Sequence, residues 1–394
     1  MNTIHYNETV QLQPCVATIG FFDGVHRGHQ FLIRHLVETA SQEGLQSTII
    51  TFDEHPRKVL QSDYQPEMLS TLDSKLLLLS KTEVDNAVVL HFDKAMAAMS
   101  AREFMQKILN DHLHVRKLFI GYDHRFGHNR SETFEDYVRY GKELGIEVIK
   151  NDAFRIDDIN ISSSVIRSFL KEGEIEMANQ CLGYPYTIIG KVVNGYHEGR
   201  KLGFPTANLD ISHFGQLIPA TGVYAVKVRI ENSMTWKQGM MNVGNRPTFN
   251  GKQITLETHI FNFEGDIYDQ LLLVCFIKRI RGEQKFDSPE ELAEQLKEDE
   301  KTVVEFLNRR LIMAKINFKK GLTDIVLYII IFIVVQIFLT YAGAGIWAAV
   351  KGEGYQATLL AMGTGNNAIL TALTTVFSNV ITLIIFLKAK WTPL

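Results

Sequence analysis

The 394-residue sequence has little cysteine and no excess of basic residues, and both absences restrict its class. Its cysteines, Cys15, Cys181 and Cys275, lie far apart and match neither a zinc site nor a disulfide framework. Lysines and arginines number 41 against 44 aspartates and glutamates, a formal net charge of -3, which argues against nucleic acid as the main partner. The N-terminus lacks the basic segment and apolar core of a secretory signal. We therefore expect domains that stay in a reducing cytoplasm.

What the sequence does contain is a glycine-bearing stretch at residues 20–29, which reads Gly-Phe-Phe-Asp-Gly-Val-His-Arg-Gly-His. It follows the apolar run Val16–Ile19 and precedes a helix-like segment, which predicts a strand, a turn and a helix start. Such a junction presents free backbone N–H groups and the positive end of a helix dipole to an anion such as phosphate. His26 and His29 face one side of the opening turn, where two imidazole donors suit a phosphorus atom with developing negative charge. Asp23 adds a carboxylate beside them.

Strand-like and helix-like segments alternate through the first 183 residues. Apolar residues recur at helical spacing as far as Gly44, and a buried strand is predicted over Ser47–Phe52. Further strand-like runs lie at residues 88–90, 117–121 and 147–149. A succession of strand, helix and strand implies right-handed crossovers and a parallel sheet. We therefore predict a Rossmann-like α/β domain over residues 1–183, with its ligand cleft at the carboxyl ends of the strands.

Three polar clusters lie where predicted strands end, at residues 51–57, 121–127 and 161–167. The first reads by itself as a proline-terminated turn with solvated charges. The second places Asp123 with an imidazole and a guanidinium between two glycines. In the third, serines can cap a helix that begins near Ser164, and Arg167 lies one turn in, where it can fork onto phosphate oxygens. A simple N-cap with a solvated arginine is an equal alternative for this third cluster.

These motifs resemble known families. The His-x-Gly-His pattern of residues 26–29 resembles the signature of the nucleotidylyltransferase superfamily, and the longer string from residue 20 resembles the bacterial bifunctional riboflavin kinase and FAD synthetase. The three polar clusters match the FAD synthetase module of that family in order and in approximate spacing. The resemblance implies that the phosphate of FMN attacks the α-phosphorus of ATP, which gives FAD and pyrophosphate.

The same resemblance implies roles for individual residues of the first domain. It places His26 and His29 against the ATP phosphates, and it assigns Ser164 and Arg167 to the triphosphate. Asp123 would orient a nucleotide or flavin phosphate. Further nucleotide contacts are assigned within the turn, at Gly20, Phe21, Asp23, Gly24 and Gly28. Positioning and charge neutralisation would then supply the rate without a covalent enzyme intermediate.

From residue 184 the pattern changes to short strand-like segments separated by glycine, asparagine and proline. Five such segments lie at residues 186–193, 222–230, 235–243, 254–261 and 271–280. Regularly spaced strands without intervening helices predict a small antiparallel β-barrel. A C-terminal helix is predicted from Ser288 to about Leu311, with Pro289 at its first position. We place this second domain at residues 184–312.

Residues 199–208, Gly-Arg-Lys-Leu-Gly-Phe-Pro-Thr-Ala-Asn, are the most informative part of the second domain. Their glycines let a loop close over phosphates. The Thr206 hydroxyl and the Asn208 carboxamide are neutral oxygen ligands of the kind that nucleotide-bound Mg²⁺ accepts. Together with residues 241–249 and 256–261, this stretch resembles the riboflavin kinase domain of the same family.

The kinase resemblance implies that Glu257 is the general base, which takes the proton of the ribityl 5′-hydroxyl as that oxygen attacks the γ-phosphorus of ATP. It assigns Gly199 and Gly203 to the ATP phosphates and places Arg281 near the flavin. Asp269 departs from the family, where relatives often carry glycine, and aspartate suits a turn of positive φ poorly.

The tail, residues 313–394, contains two apolar runs, and we predict transmembrane helices at about 325–347 and 368–387. Lysines flank the pair, which predicts a hairpin anchored in the inner membrane with both ends in the cytoplasm. The tail resembles in part the first two spans of CPBP-type intramembrane proteases, although it lacks their Glu-Glu pair and no histidine follows His259. Our hypothesis is a fusion or read-through that joins an enzyme to a truncated membrane protein.

The sequence thus predicts a bifunctional enzyme that phosphorylates riboflavin to FMN and adenylylates FMN to FAD, with ATP as co-substrate and Mg²⁺ as metal. Its predicted partners are these small molecules, with the membrane contacted through the tail only and no specific protein partner. One alternative is a single-activity nucleotidylyltransferase that uses another phosphate acceptor, but Thr206, Asn208 and Glu257 argue against it. The other alternative, suggested by the tail, is a catalytically inactive, membrane-tethered flavin-binding module.

Overall fold

The computed structural model describes residues 1–310 except 8, 62, 64, 66, 123, 124, 129, 130, 157, 158, 196, 197, 212–214, 249 and 250, together with Ala342, Gly354 and Gln356. The chain divides into two compact units, Met1–Glu305 and Phe306–Leu394. Apart from Ala342, both predicted transmembrane spans lie outside the described residues. Among the residues that are described, no helix has the length and apolar character that crossing a bilayer requires.

The first part of the chain forms a six-stranded sheet of order β1-β4-β3-β2-β5-β6, in which every neighbouring pair is parallel. This confirms the predicted parallel α/β sheet. Strands β2 to β4 are buried almost throughout, as expected for a sheet covered on both faces. The strands are β1 (Asn2–His5), β2 (Cys15–Ile19), β3 (Gln46–Phe52), β4 (Asn86–Leu90), β5 (Val115–Ile120) and β6 (Glu147–Lys150).

Helices connect these strands, and their ends follow the local sequence. The first helix begins after His26 and ends at Gly44, whose φ of 66° is a conformation that glycine adopts without steric cost. The helices are α1 (Arg27–Glu43), α2 (Pro56–Leu60), α3 (Leu72–Leu79), α4 (Lys94–Ala97), α5 (Ala101–Phe104), α6 (Phe134–Leu144), α7 (Ser163–Glu172) and α8 (Ile175–Leu182). A π-helix, Met105–His112, continues α5, and a small hairpin of β7 (Arg155–Ile156) and β8 (Ile159–Asn160) precedes α7.

The second part is a closed barrel of order β10-β13-β12-β11-β14-β9, with antiparallel neighbours, which confirms the predicted barrel. A helix over residues 289–310, α10, matches the predicted C-terminal helix. The three-residue strand β10 was not predicted, because a run that short shows no alternation. The remaining elements are β9 (Thr187–Val193), α9 (Glu198–Lys201), β10 (Ala207–Leu209), β11 (Gly222–Ile230), β12 (Lys237–Thr248), β13 (Gly251–Ile260) and β14 (Leu271–Arg281).

The core of the barrel is shared with helices that precede it in the chain. Ile166 and Leu170 of α7 and Leu182 of α8 are fully or almost fully buried, in one cluster with Tyr224 and Phe276 of the barrel. Burial of apolar surface is the main favourable term in packing two elements together. Helices α7 and α8 therefore pack on the barrel through a shared hydrophobic core.

Candidate functional site

The first candidate site is the turn that follows β2. Because β3 and β5 lie on opposite sides of β2, the carboxyl end of β2 is the point of the sheet where a crevice opens. Phe22 and Val25 in this turn have φ of 54° and 36°, although neither is glycine. Such conformations cost free energy and persist only where neighbouring groups hold the chain. The turn is therefore strained and supported from outside.

His26 and His29 lie together at the start of α1, as predicted. Their rings are stacked with centroids 3.6 Å apart, and the His26 Nδ1 atom accepts the His29 backbone N–H at 3.4 Å. Burial and the nearby Arg167 guanidinium lower the pKa of His26 to about 3. His26 is thus neutral at physiological pH, and because its Nδ1 accepts, its Nε2 carries the proton. It can offer one N–H donor to an anion.

Asp23 is the centre of this site, and its side chain is 3% exposed. Its carboxylate accepts the backbone N–H groups of Leu69 at 2.9 Å and Ser70 at 3.1 Å, and it forms an ion pair with Arg167. Burial raises the pKa of Asp23, while the Leu69 amide and Arg167 oppose that shift. Every group aimed at the carboxylate is a donor, so no neighbour favours a proton on it and the ionised form is held.

A serine caps α7 at its start, as predicted. Ser162 is the N-cap, since its hydroxyl accepts the Val165 N–H at 3.3 Å, and the helix begins at Ser163. The Ser163 hydroxyl donates to the backbone carbonyl of Asp23 at 3.2 Å. Ser164 is exposed on the first turn. Asp123, another predicted residue of this site, lies outside the described residues.

Lys75 was not predicted from the sequence as a residue of this site. It is 2% exposed and lies beside the turn. Its ammonium donates to the carbonyls of Phe21 at 3.2 Å and Phe52 at 2.9 Å and to the Thr51 hydroxyl at 3.1 Å. The His55 ring lies 4.9 Å from the Phe21 ring, and burial with nearby cations lowers the pKa of His55 to about 4. A lone lysine inside the leucine-rich helix α3 was the available signal.

The second candidate site begins with the loop at residues 199–204. The Gly199 carbonyl accepts the N–H groups of Leu202 at 3.1 Å and Phe204 at 2.8 Å, so the loop is tightly closed. A Cβ on Gly199 would lie 2.3 Å from the Phe204 carbonyl oxygen, and Gly203 has a φ of 84°. Both positions therefore require glycine.

Asn208 and Glu257 meet across two strands of the barrel. They are directly paired in the register of β10 and β13. Both alternate with buried neighbours, so they share the outer face of the barrel. An ideal Cβ on Gly195 would lie 2.1 Å from the Asn208 amide nitrogen, which shows how closely the preceding loop covers this side chain.

A cavity of about 470 Å³ opens beside this loop, and Thr206, Arg200 and Thr258 contribute to its wall. This volume lies in the range of about 300–1,000 Å³ that small-molecule sites occupy. The Thr258 hydroxyl is buried and has no hydrogen-bond partner within the described part of the chain. Within that same part, no group of three or more His, Cys, Asp or Glu side chains is placed to hold a metal ion.

Arg281 forms an ion pair with Asp299 of helix α10. Its Nε and Nη2 atoms donate to the carboxylate of Asp299, which is 2% exposed, at distances of 2.7–3.0 Å. Its Nη1 atom donates to the Gly282 carbonyl at 3.1 Å. Its placement near the flavin stays a prediction. Asp269, the departure from the family pattern, does adopt a positive φ of 62° and pairs with Lys191 at 2.8 Å.

Comparison with known proteins assigns a family to each of the two parts of the chain. The FAD synthetase family model matches residues 8–165, and the riboflavin kinase model matches residues 182–307. The bifunctional riboflavin kinase/FMN adenylyltransferase of Haemophilus influenzae is 39% identical over 303 residues, which cover 77% of this chain and 97% of that protein. The enzyme of the same name from Escherichia coli is 36% identical over 303 residues, with coverages of 77% and 96%.

A solved structure shares the fold. The crystal structure named a macrolide-efflux protein from Streptococcus pneumoniae matches with a TM-score of 0.70 and 32% identity, over 77% of this chain and 99% of that one. The efflux name belongs to that protein, whereas both family models and the curated relatives name flavin-nucleotide synthesis. The chain belongs to the family of bifunctional riboflavin kinases/FMN adenylyltransferases, and it phosphorylates riboflavin and adenylylates FMN.

Proposed function

We propose that FAD is formed at the turn of residues 20–29. One oxygen of the FMN phosphate bonds to the α-phosphorus of ATP, and the bond from that phosphorus to the bridging oxygen breaks, which releases pyrophosphate. His26 and His29 donate N–H groups to the phosphoryl oxygens as charge develops on them, and backbone N–H groups at the start of α1 add to this field. No covalent enzyme intermediate is needed.

Arg167 serves two purposes in this proposal. It holds Asp23, and with it the strained backbone of the turn. Its side chain is 24% exposed, so it also reaches the surface on which the triphosphate would lie. The exposed Ser164 hydroxyl and the predicted Asp123 contact complete the nucleotide site, together with the glycines that leave room for the backbone to approach phosphate: Gly20, Gly24 and Gly28.

We further propose that FMN is formed beside the loop of residues 199–204. Glu257 takes the proton of the ribityl 5′-hydroxyl as that oxygen attacks the γ-phosphorus of ATP, and ADP leaves. The closed loop with Gly199 and Gly203 faces the ATP phosphates. This assignment is supported by the direct pairing of Glu257, the predicted base, with Asn208, a predicted metal ligand, in the register of β10 and β13.

Thr206 and Asn208 fit a nucleotide-bound Mg²⁺. Both supply neutral oxygens, and Asn208 lies in a cradle that a Cβ on Gly195 would fill. Too few acidic and histidine ligands gather in the described part of the chain to hold a metal alone, so phosphate oxygens would complete the coordination. When bound, Mg²⁺ supplies neutralisation of phosphate charge, while the protein positions the hydroxyl and accepts its proton.

For the whole chain we propose cytoplasmic catalytic domains at residues 1–183 and 184–312 and membrane anchoring through the predicted spans of the tail. Arg281 is proposed to lie near the flavin.

The assignment of two separate centres is tested with Glu257→Gln and His29→Ala, assayed by chromatography of flavin products. Glu257→Gln removes the base at nearly constant volume, so we expect FMN formation to fall by at least about 10²-fold, with FAD formation from added FMN preserved. His29→Ala should do the converse. Each variant is the folding control of the other. Loss of both activities in either well-folded variant would refute separate centres.

A further inference from the structure

Residues 67–70, here called the bridging segment, hold both members of the Asp23–Arg167 ion pair. The N–H groups of Leu69 and Ser70 donate to the Asp23 carboxylate. The Nε atom of Arg167 donates to the Glu67 carbonyl at 2.8 Å. The Ser70 hydroxyl also accepts the Gly24 N–H at 3.0 Å. The geometry of the strained turn is thus set by the position of this segment.

On its other side, the bridging segment pairs with residues 215–217 of the kinase domain. Met68 and Gln216 form a parallel bridge, in which the Met68 N–H donates to the Gly215 carbonyl at 3.2 Å and the Leu217 N–H donates to the Met68 carbonyl at 2.7 Å. Two backbone hydrogen bonds therefore join the segment to a part of the chain that is matched by the riboflavin kinase model.

The side chain of Gln216 adds two hydrogen bonds to this junction. It is 8% exposed, and its Nε2 atom donates to the carbonyl of Leu69 at 2.9 Å and to that of Thr187, the first residue of β9, at 2.7 Å. A buried carbonyl that loses its donor carries the full cost of desolvation. The peptide group between Leu69 and Ser70 is therefore held on both sides, because its carbonyl accepts from Gln216 and its N–H donates to Asp23.

A second contact from the kinase side reaches the turn directly. The Tyr184 hydroxyl donates to the carbonyl of Gly24. Gly24 has a φ of 71°, and a Cβ there would lie 2.9 Å from the Cβ of Leu69. The bridging segment and Tyr184 thus enclose Gly24 from two sides, which explains how the strained conformation persists.

We propose that the riboflavin kinase domain forms part of the FAD-forming site and that Gln216 is a positioning residue for adenylyl transfer, which acts through Leu69 on Asp23 and Arg167. The inference rests on the proposed binding of ATP at the turn and goes beyond it, because it makes the first activity depend on a residue of the second domain. Gln216 does not line the cavity beside the kinase loop, so we expect riboflavin phosphorylation to be little affected by its loss.

The test uses Gln216→Leu in the full chain, which removes both hydrogen bonds at similar volume. Asn179→Leu is the matched control, since the Asn179 amide also joins α8 to the barrel by two hydrogen bonds, with the Phe276 carbonyl and the Tyr186 N–H, without touching the bridging segment. We expect kcat for FAD formation to fall by about tenfold or more in Gln216→Leu, with riboflavin phosphorylation within about twofold of wild type. Asn179→Leu should leave both activities within about twofold.

A double-mutant cycle separates positioning from general destabilisation. If Gln216 acts through Asp23, Gln216→Leu should lower kcat by less than about twofold in an Asp23→Asn background. The proposal is overturned if the losses of kcat in Gln216→Leu and Asp23→Asn multiply in the double variant. It is also overturned if FAD formation is unchanged in Gln216→Leu, or if Asn179→Leu reduces it equally. If Gln216→Leu does not fold, Tyr184→Phe provides the test, because it removes only the hydroxyl that donates to the Gly24 carbonyl. Unchanged FAD formation in Tyr184→Phe would then refute the proposal. Full FAD formation by His29→Ala would instead refute the ATP site, since that variant leaves Gln216 in place.

Discussion

The ammonium nitrogen of Lys75 lies 3.2 Å from the carbonyl oxygen of Phe21 and 4.1 Å from the centre of the Phe21 ring. The same nitrogen donates to the carbonyl of Phe52 at the end of β3. Lys75 therefore ties the strained turn to the neighbouring strand, with all three of its protons directed at acceptors.

Replacing Lys75 by methionine should lower FAD formation by about tenfold or more, because the turn loses its link to β3 and displaced catalytic groups lose rate steeply. Riboflavin phosphorylation in the same protein should be unchanged. Lys117→Met is the control, since Lys117 lies in the same domain and pairs with Glu43 and Glu147 at the surface. Equal activity of the two variants in chromatographic assays would contradict the assigned role.

The pH dependence of unfolding offers a second test of Lys75. Burial lowers the pKa of Lys75 to about 8, although Asp23 and Asp53 oppose this shift. An unfolded lysine keeps its proton up to about pH 10.4, so between these values the unfolded chain binds more protons than the folded one. The contribution of Lys75 to the free energy of unfolding should therefore rise with pH in this window. In urea unfolding from pH 7 to 10, the free energy of unfolding of the wild type should rise relative to that of Lys75→Met. A difference between the two that stays constant with pH would contradict the lowered pKa of Lys75.

Arg167→Met should abolish most FAD formation, by about 10²-fold or more, because it leaves Asp23 buried without its cation and releases the Glu67 carbonyl. Arg167→Lys keeps the charge but loses the planar fork, so an intermediate activity is expected. The measurement is kcat/KM for ATP at fixed FMN. If lysine restored full activity, charge alone would suffice and the geometric role would be wrong.

Breaking the pair between Arg281 and Asp299 should destabilise the protein. Asp299 is 2% exposed, so Arg281→Met strands a buried carboxylate and should cost about 3–5 kcal/mol in urea unfolding. Asp299→Leu added to Arg281→Met should recover much of this loss, because no charge then remains buried. The control is Arg102→Met, whose exposed pair with Glu143 should contribute at most about 1 kcal/mol.

The tail is tested by ending the chain after residue 311, which is about the length of the curated relatives. We expect the shortened protein to keep both activities, because every proposed site residue precedes this point. The full chain should sediment with membranes and the shortened chain should not, since each predicted span is long enough to cross a bilayer. Recovery of the full chain in the supernatant would contradict the predicted anchoring.

The local sequence was sufficient to predict those parts of the structure that depend on neighbouring residues in the chain. Alternating strand and helix patterns predicted the parallel sheet, regularly spaced strands predicted the barrel, and the glycines and histidines of residues 20–29 predicted the turn and its helix start. These features follow from periodicity, capping and turn chemistry, which act over a few residues. For the same reason the three-residue β10, with too few residues to show a period, escaped prediction.

Only the tertiary structure decided which distant residues share a site. The sequence by itself determined that Asp23, Arg167 and Gln216 exist as polar residues near loops or helix starts. It did not show that Arg167 reaches Asp23 across 144 positions, or that Gln216 reaches Leu69 across 147. Such contacts arise because burying the apolar faces of α7 and α8 against the barrel fixes where the polar groups of both domains meet.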